Sequence, residues 1–120
     1  MVISNNPLLR DEPDVTFVEG GFRDVLIAAR DLVHMGYSLV SHPLFASLGM
    51  MFSPYRTIIL SDARHEPNSV EAEIIEGSIM SYDLTTEGRQ RIERNDHDYA
   101  LMDRELYLAA LEEAHALAQM

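Results

Sequence analysis

The sequence contains no cysteine and no lysine, and positive charge is scarce. Without cysteine, the chain forms no disulfide and has no thiol nucleophile or thiolate metal ligand. Nine arginines stand against 20 acidic residues, which gives a formal net charge of −11 at pH 7. Because phosphate backbones and anionic lipid surfaces repel such a chain, we expect neither nucleic acid nor a membrane as a partner.

Long apolar runs are absent as well. No run approaches the roughly 20 residues that span a bilayer. The N-terminus also lacks the basic region that precedes the apolar segment of a secretory signal. These observations predict a cytoplasmic protein. The 120 residues, of which 47% are hydrophobic, are typical of one globular domain.

Short apolar segments predict the strands of that domain. They lie at residues 2–4, 15–18, 37–40 and 57–60. Between the second and third segments, residues 22–35 have apolar side chains at helical spacing, and Gly36 follows as a left-handed C-cap. A strand, a helix and a strand in succession indicate a right-handed crossover between parallel strands. We therefore predict an α/β fold, a single small domain over residues 1–120, with about four mostly parallel strands and helices packed on the faces.

Two further helices are predicted in the second half of the chain. Asn68 has the position of an N-cap, and Glu71 follows three residues later, as in a capping box. The helix that Asn68 opens is expected to carry five side chains toward the core: Val70, Ile74, Ile75, Ile79 and Tyr82. Asp96 is expected to cap the last helix, over residues 98–118.

The last helix is apolar on two sides. One stripe contains Met102, Leu106, Ala109, Ala110 and Leu117, and part of a second contains Leu101, Leu108 and Leu111. Two apolar sides predict two packing partners. The sheet is expected to be one, and our hypothesis for the other is a second subunit, which would make a homodimer through this helix.

Before this helix lies a small basic patch, interpreted as a solvated face or a contact for an acidic partner: Arg89, Arg91 and Arg94.

The best candidate chemistry lies in residues 41–60 and at the ends of the predicted strands, where open α/β sheets bind ligands. The candidate ligand-binding residues are Asn5, Asn6, His42, Ser47 and Arg56. An imidazole exchanges a proton near neutral pH, although a lone histidine more often only bonds its own loop. A guanidinium suits a carboxylate or a phosphate, with a plain salt bridge as the alternative. If residues 37–40 and 57–60 form a hairpin, His42 and Arg56 lie at one end. If they run parallel, the two residues lie apart unless the loop folds over.

Other motifs are weak. Gly20 and Gly21 precede a helix but lack a nucleotide-binding pattern, and the loop serines lack the context of a hydrolase nucleophile. The remaining histidines show no metal-ligand spacing. We therefore expect no metal and no cofactor, and we assign no catalytic residue.

Several pieces of the chain, in this order, are similar to the GrdX family. They are Asn5-Asn6-Pro7 after the first strand, residues 29–34 on the first helix, Ser41-His42-Pro43-Leu44 with Ser47, and Pro54-Tyr55-Arg56 before an apolar strand. The similarity covers residues 3–62 and weakens to a pattern in the C-terminal half. The chain departs from the family at Ala46, where the family has glycine, and at residues 48–51, where the family has a proline.

The resemblance implies a small cytoplasmic protein associated with the glycine, sarcosine and betaine reductase system, and it implies no catalytic role. Three hypotheses follow, in this order. The first is an accessory protein that binds proteins of the reductase system. The second is a small-ligand domain that binds a carboxylate or an amine through residues 41–56. The third is a small enzyme with His42 as acid–base.

Overall fold

The computed structural model describes residues 1–88 and 95–119. These residues form three strands and three α-helices, with short 3₁₀ turns at Pro7–Leu9 and Gly49–Phe52. The elements are β1 Val2–Ser4, β2 Val15–Phe17, α1 Phe22–His34, β3 Thr57–Ile59, α2 Ser69–Thr86 and α3 Asp96–Ala118. The basic patch predicted at Arg89, Arg91 and Arg94 lies outside the described residues.

The sheet has the order β2-β1-β3 and is mixed. β1 runs parallel to β2, with Val2 opposite Val15, and antiparallel to β3, with Val2 opposite Ile59. The chain is thus an α/β protein, but the prediction of about four mostly parallel strands is wrong. Residues 1–88 and 95–119 form three strands, and the parallel pair is β1 and β2, joined through a 3₁₀ turn. The predicted crossover through α1 to a parallel strand at residues 37–40 is wrong, because that segment makes one antiparallel bridge to Leu60.

Residues 37–40 were expected to form a strand and contribute one antiparallel bridge, between Leu39 and Leu60. Side chains take backbone groups that a strand would use. Ser61 Oγ accepts from the Ser38 N–H at 2.9 Å, and Ser41 Oγ accepts from the Ile59 N–H at 2.9 Å. Because those two donors are already bonded, the ladder does not extend along the segment.

The two faces of the sheet have separate cores, since successive strand side chains point to opposite sides. Ile3 and Ile58 pack against α1 and α2, in a cluster that includes Phe22. Val2 and Ile59 pack against Tyr107 of α3 on the other face. Helices therefore cover both faces, as predicted.

Helix α1 follows the predicted pattern and ends at His34, one residue early. Gly36 comes after it with φ of +108°, and a Cβ atom there would lie 1.9 Å from the carbonyl oxygen of His65. Both the left-handed backbone and this close approach require glycine.

Helix α2 begins as predicted, because the Asn68 side chain accepts from the N–H groups of the first turn. Ile75 and Ile79 are buried, but Val70 is 62% exposed and Ile74 is 40% exposed. The prediction that these last two residues face the core is wrong. The helix packs through Ile75, Ser78 and Ile79, which turns Val70 and Ile74 outward.

Helix α3 begins at Asp96, after Asn95, so the predicted cap is its first residue. Its buried residues are Ala100, Asp103 and Tyr107. The predicted stripes do not describe this face, since four of their members are exposed: Met102, Leu106, Leu108 and Leu117. A buried carboxyl group sets the rotation of the helix, as described below. In the described part of the chain, no helix has the length and hydropathy needed to cross a bilayer.

Candidate functional site

Arg56 lies immediately before β3 and is 7% exposed. Its Nε donates to the carbonyl oxygen of Pro43 at 2.9 Å, and its Nη2 donates to that of His42. The guanidinium also lies over the Phe45 ring, 4.1 Å from the ring centroid. Arg56 thereby holds the turn of residues 42–45 against the end of β3.

The charge of Arg56 is only partly compensated. Burial lowers the pKa of Arg56 to about 10, and the nearby charge of Asp103 acts in the opposite direction. The group therefore stays protonated at neutral pH. No carboxylate lies within ion-pair distance of Arg56 in residues 1–88 and 95–119. A buried cation held by neutral carbonyl groups leaves attraction for an anion available.

Asn5 joins three loops at the other side of Arg56. Its amide donates to the carbonyl oxygens of Gly20 and Pro54, and its carbonyl accepts from the Arg56 N–H at 2.9 Å. Both amide hydrogens of Asn5 are thus used within the chain. The contact positions Arg56 through its backbone.

Asn6 belongs to a buried polar chain that fastens α3 to the sheet. Asp103 accepts from the Thr57 N–H at 3.0 Å, from the Thr57 hydroxyl at 2.6 Å and from the Asn6 amide at 2.9 Å. The Thr57 hydroxyl donates to Asp103, so Ser4 Oγ, 2.7 Å away, donates to Thr57. Asn6 also donates to the Ala100 carbonyl oxygen. The amide of Asn6 is therefore fully engaged.

His42 and Arg56 do lie at the same end of antiparallel segments, which is the hairpin alternative. The contact involves the His42 carbonyl oxygen and leaves the imidazole exposed. Nδ1 of that ring accepts from the Leu44 N–H at 3.0 Å, a bond within its own loop. Acid–base catalysis needs a second polar group that converges on the same point. The ring's hydrogen bonds within the described residues reach only Leu44.

A cleft of about 370 Å³ lies between residues 40–46, β3 and the second half of α3. We call it the Arg56 cleft. Of the five predicted site residues, His42 and Arg56 line it. Asn5 and Asn6 lie behind the sheet end in structural contacts, and exposed Ser47 is outside the lining. Ligand binding by these five residues stays a prediction.

Sequence reasoning missed the contribution of α3. Leu106, Tyr107, Ala110 and Glu113 form one wall of the Arg56 cleft. Burial raises the pKa of the Tyr107 phenol, and two nearby acids, Asp14 and Glu12, raise it further. The available signal was a polar residue, Asp103, four positions before Tyr107 and seven before Ala110. That spacing identifies the buried side of α3 only when the hydrogen-bond partners of Asp103 are known.

The described residues contain no group of three or more histidine, aspartate or glutamate side chains placed to hold a metal ion. The chemistry in the Arg56 cleft is instead that of a cation in a mostly apolar surround. Fold and site thus define a class: an α/β protein with helices on both faces of a mixed sheet and an arginine-containing cleft under its last helix.

Within that class the family is shown by the sequence. The family model described as GrdX-like protein matches residues 1–112, so the chain belongs to the GrdX-like family. This match confirms the predicted resemblance and extends it past residue 62. No curated protein and no solved structure matches the chain.

Proposed function

We propose that this protein is a non-catalytic accessory protein that binds another protein of the glycine, sarcosine and betaine reductase system. The family match supports the association with that system. One observation supports the binding role: helix α2 carries a stripe with three exposed apolar side chains that faces away from the core.

The stripe consists of residues separated alternately by three and four positions, and we call it the α2 stripe: Val70, Glu73, Gly77, Met80 and Leu84. Met80 is 67% exposed and Leu84 is 73% exposed. The spacing is that of a helix seam that packs against a second helix. At Gly77, an added Cβ would meet no atom within 4 Å, so the middle of the stripe is open to close approach by another backbone.

The charge of helix α2 indicates what kind of partner would bind the α2 stripe. Helix α2 contains four acidic residues and no basic residue. Three of the acids are bonded within the chain, to Leu39, His34 and Arg23. Glu73 lies inside the α2 stripe and has no ion pair among the described residues. The complementary partner is therefore an amphipathic helix with apolar residues and at least one basic residue on its docking side.

A second copy of this chain fits the stripe less well. Two copies of α2 would bring acidic residues together across the contact, and like charges at an interface cost binding energy. The homodimer predicted through α3 uses a different surface. It stays a prediction, and its measurement is the oligomeric state of the purified protein.

Affinity purification from the protein's own cells tests the proposal. The tagged wild-type chain is compared with a double variant, Met80→Asp and Leu84→Asp. The matched control is Met102→Asp with Leu108→Asp, which makes the same chemical change at two exposed sites on α3. We expect identified reductase-system proteins with the wild type and the α3 variant, and their loss with the α2 variant.

Binding is then measured between purified components. A cross-link from α2 to a basic helix of the recovered protein would support the proposal. Loss of recovery with the α3 variant alone would move the contact to α3. Recovery of no reductase-system protein by any chain would overturn the proposed partner.

A further inference from the structure

The Arg56 cleft combines one buried cation with mainly apolar walls. Two of the three guanidinium nitrogens hold the loop carbonyl oxygens of Pro43 and His42. Nη1 donates no hydrogen bond to the described residues. Arg56 thus both fastens the loop and keeps one nitrogen for another acceptor.

The walls of the cleft are mainly hydrocarbon. Leu44 and Phe45 line one side, and Leu106, Ala110 and Leu117 of α3 line the other. The volume of about 370 Å³ lies within the range of small-ligand sites. Such sites combine an apolar lining with a few polar groups that orient the ligand.

We propose that the Arg56 cleft binds a small monocarboxylate with an apolar body, its carboxylate on the Arg56 guanidinium and its body between Phe45 and α3. This role is separate from protein docking, because the α2 stripe contributes no residue to the cleft.

Charge around the cleft restricts the ligand to one negative charge. Glu113 also lines the Arg56 cleft, and the chain as a whole has a net charge of −11. A dicarboxylate or a phosphate dianion would place its second charge near Glu113, while Arg56 is the one arginine among the described residues that line the cleft. A neutral molecule of the same shape gains the apolar contacts but offers the guanidinium only an uncharged acceptor, and that hydrogen bond is weaker than one to a carboxylate.

The test is a titration of isotope-labelled protein followed by NMR. The ligand is 3-phenylpropionate, and the matched neutral compound is 3-phenylpropanol. We expect saturable shifts with the carboxylate, located at the Arg56 side-chain N–H, Phe45 and Ala110, with a Kd of about 1 mM or tighter. The neutral alcohol is expected to bind at least about tenfold more weakly.

Two variants separate ligand binding from the structural role of Arg56. Ala110→Leu fills the cleft and leaves the Arg56 contacts in place, and Ala109→Leu makes the same change on the exposed side of α3. We expect Ala110→Leu to weaken carboxylate binding by about tenfold or more, and Ala109→Leu to leave it unchanged. Arg56→Gln, if its spectrum remains dispersed, should also lose the preference for the carboxylate.

Three outcomes would overturn the proposal. The first is equal binding of the acid and the alcohol. The second is shifts that do not saturate or that map away from the cleft. The third is equal affinity in wild-type and Ala110→Leu protein. In each case the role of Arg56 is limited to holding the loop of residues 42–45.

Discussion

Replacing Asp103 with alanine should destabilise this protein more than any surface change on α3. Asp103 is completely buried and accepts three hydrogen bonds. Without it, the Thr57 N–H and one amide hydrogen of Asn6 lose their partner, while the Thr57 hydroxyl can turn elsewhere. Each buried donor left without an acceptor costs about 1 to 3 kcal/mol, so we expect the free energy of unfolding to fall by about 2 to 6 kcal/mol.

That loss is large against the total free energy of unfolding of a small domain, about 5 to 15 kcal/mol. Urea denaturation followed by circular dichroism measures it. With an m-value of about 2 kcal/mol/M, the midpoint should fall by about 1 to 3 M. Asp103→Asn should lie between, because the new amide keeps the bond from the Thr57 N–H but sets a donor against the Asn6 amide.

Glu105→Ala is the matched control, since it removes an exposed carboxylate two positions along the same helix. Its effect should stay within about 0.5 kcal/mol. If Asp103→Ala shifts the midpoint no more than Glu105→Ala does, the polar chain does not hold α3 on the sheet, and the reasoning is refuted.

Four other substitutions test separate parts of the structure by the same denaturation assay. Asn5→Ala leaves the buried Arg56 N–H without an acceptor and should cost about 1 to 3 kcal/mol of stability. An unchanged stability would mean that the three loops are held together without this side chain. Gly36→Ala should cost at least about 1 kcal/mol, because φ is positive and a Cβ meets a backbone oxygen, whereas Gly77→Ala in open helix should stabilise by about 0.5 to 1 kcal/mol. The pKa of Tyr107 is raised in the folded state, so its contribution is complete below about pH 10 and is lost as pH rises further. Tyr107→Phe should therefore lose less stability than wild type as the pH rises above about 10, and parallel profiles would contradict the assignment.

Much of the fold could be predicted from local patterns. Helix α1 follows from the apolar spacing of residues 22–33 together with Gly36. The start of α2 follows from Asn68, whose side chain caps the first turn. These signals are read within a few residues, so they do not depend on distant partners.

The candidate site was only partly predictable. Arg56 and His42 were identified as residue types able to bind or to exchange protons, and they do meet at one sheet end. Their actual contact is between a guanidinium and a backbone carbonyl oxygen, which no side-chain pattern encodes. The amides of Asn5 and Asn6 are used in structural bonds to residues 15 to 97 positions away.

The sequence by itself determined the acidic character, the family, the apolar segments and the positions at which α1 and α2 begin. Tertiary structure decided that residues 37–40 form only one bridge, because the hydroxyls of Ser61 and Ser41 take the backbone donors of Ser38 and Ile59. It also decided which side of α3 is buried. The helix has apolar residues on several sides, and the three bonds to Asp103 select the one that faces the sheet, since a buried acceptor must lie where its donors are.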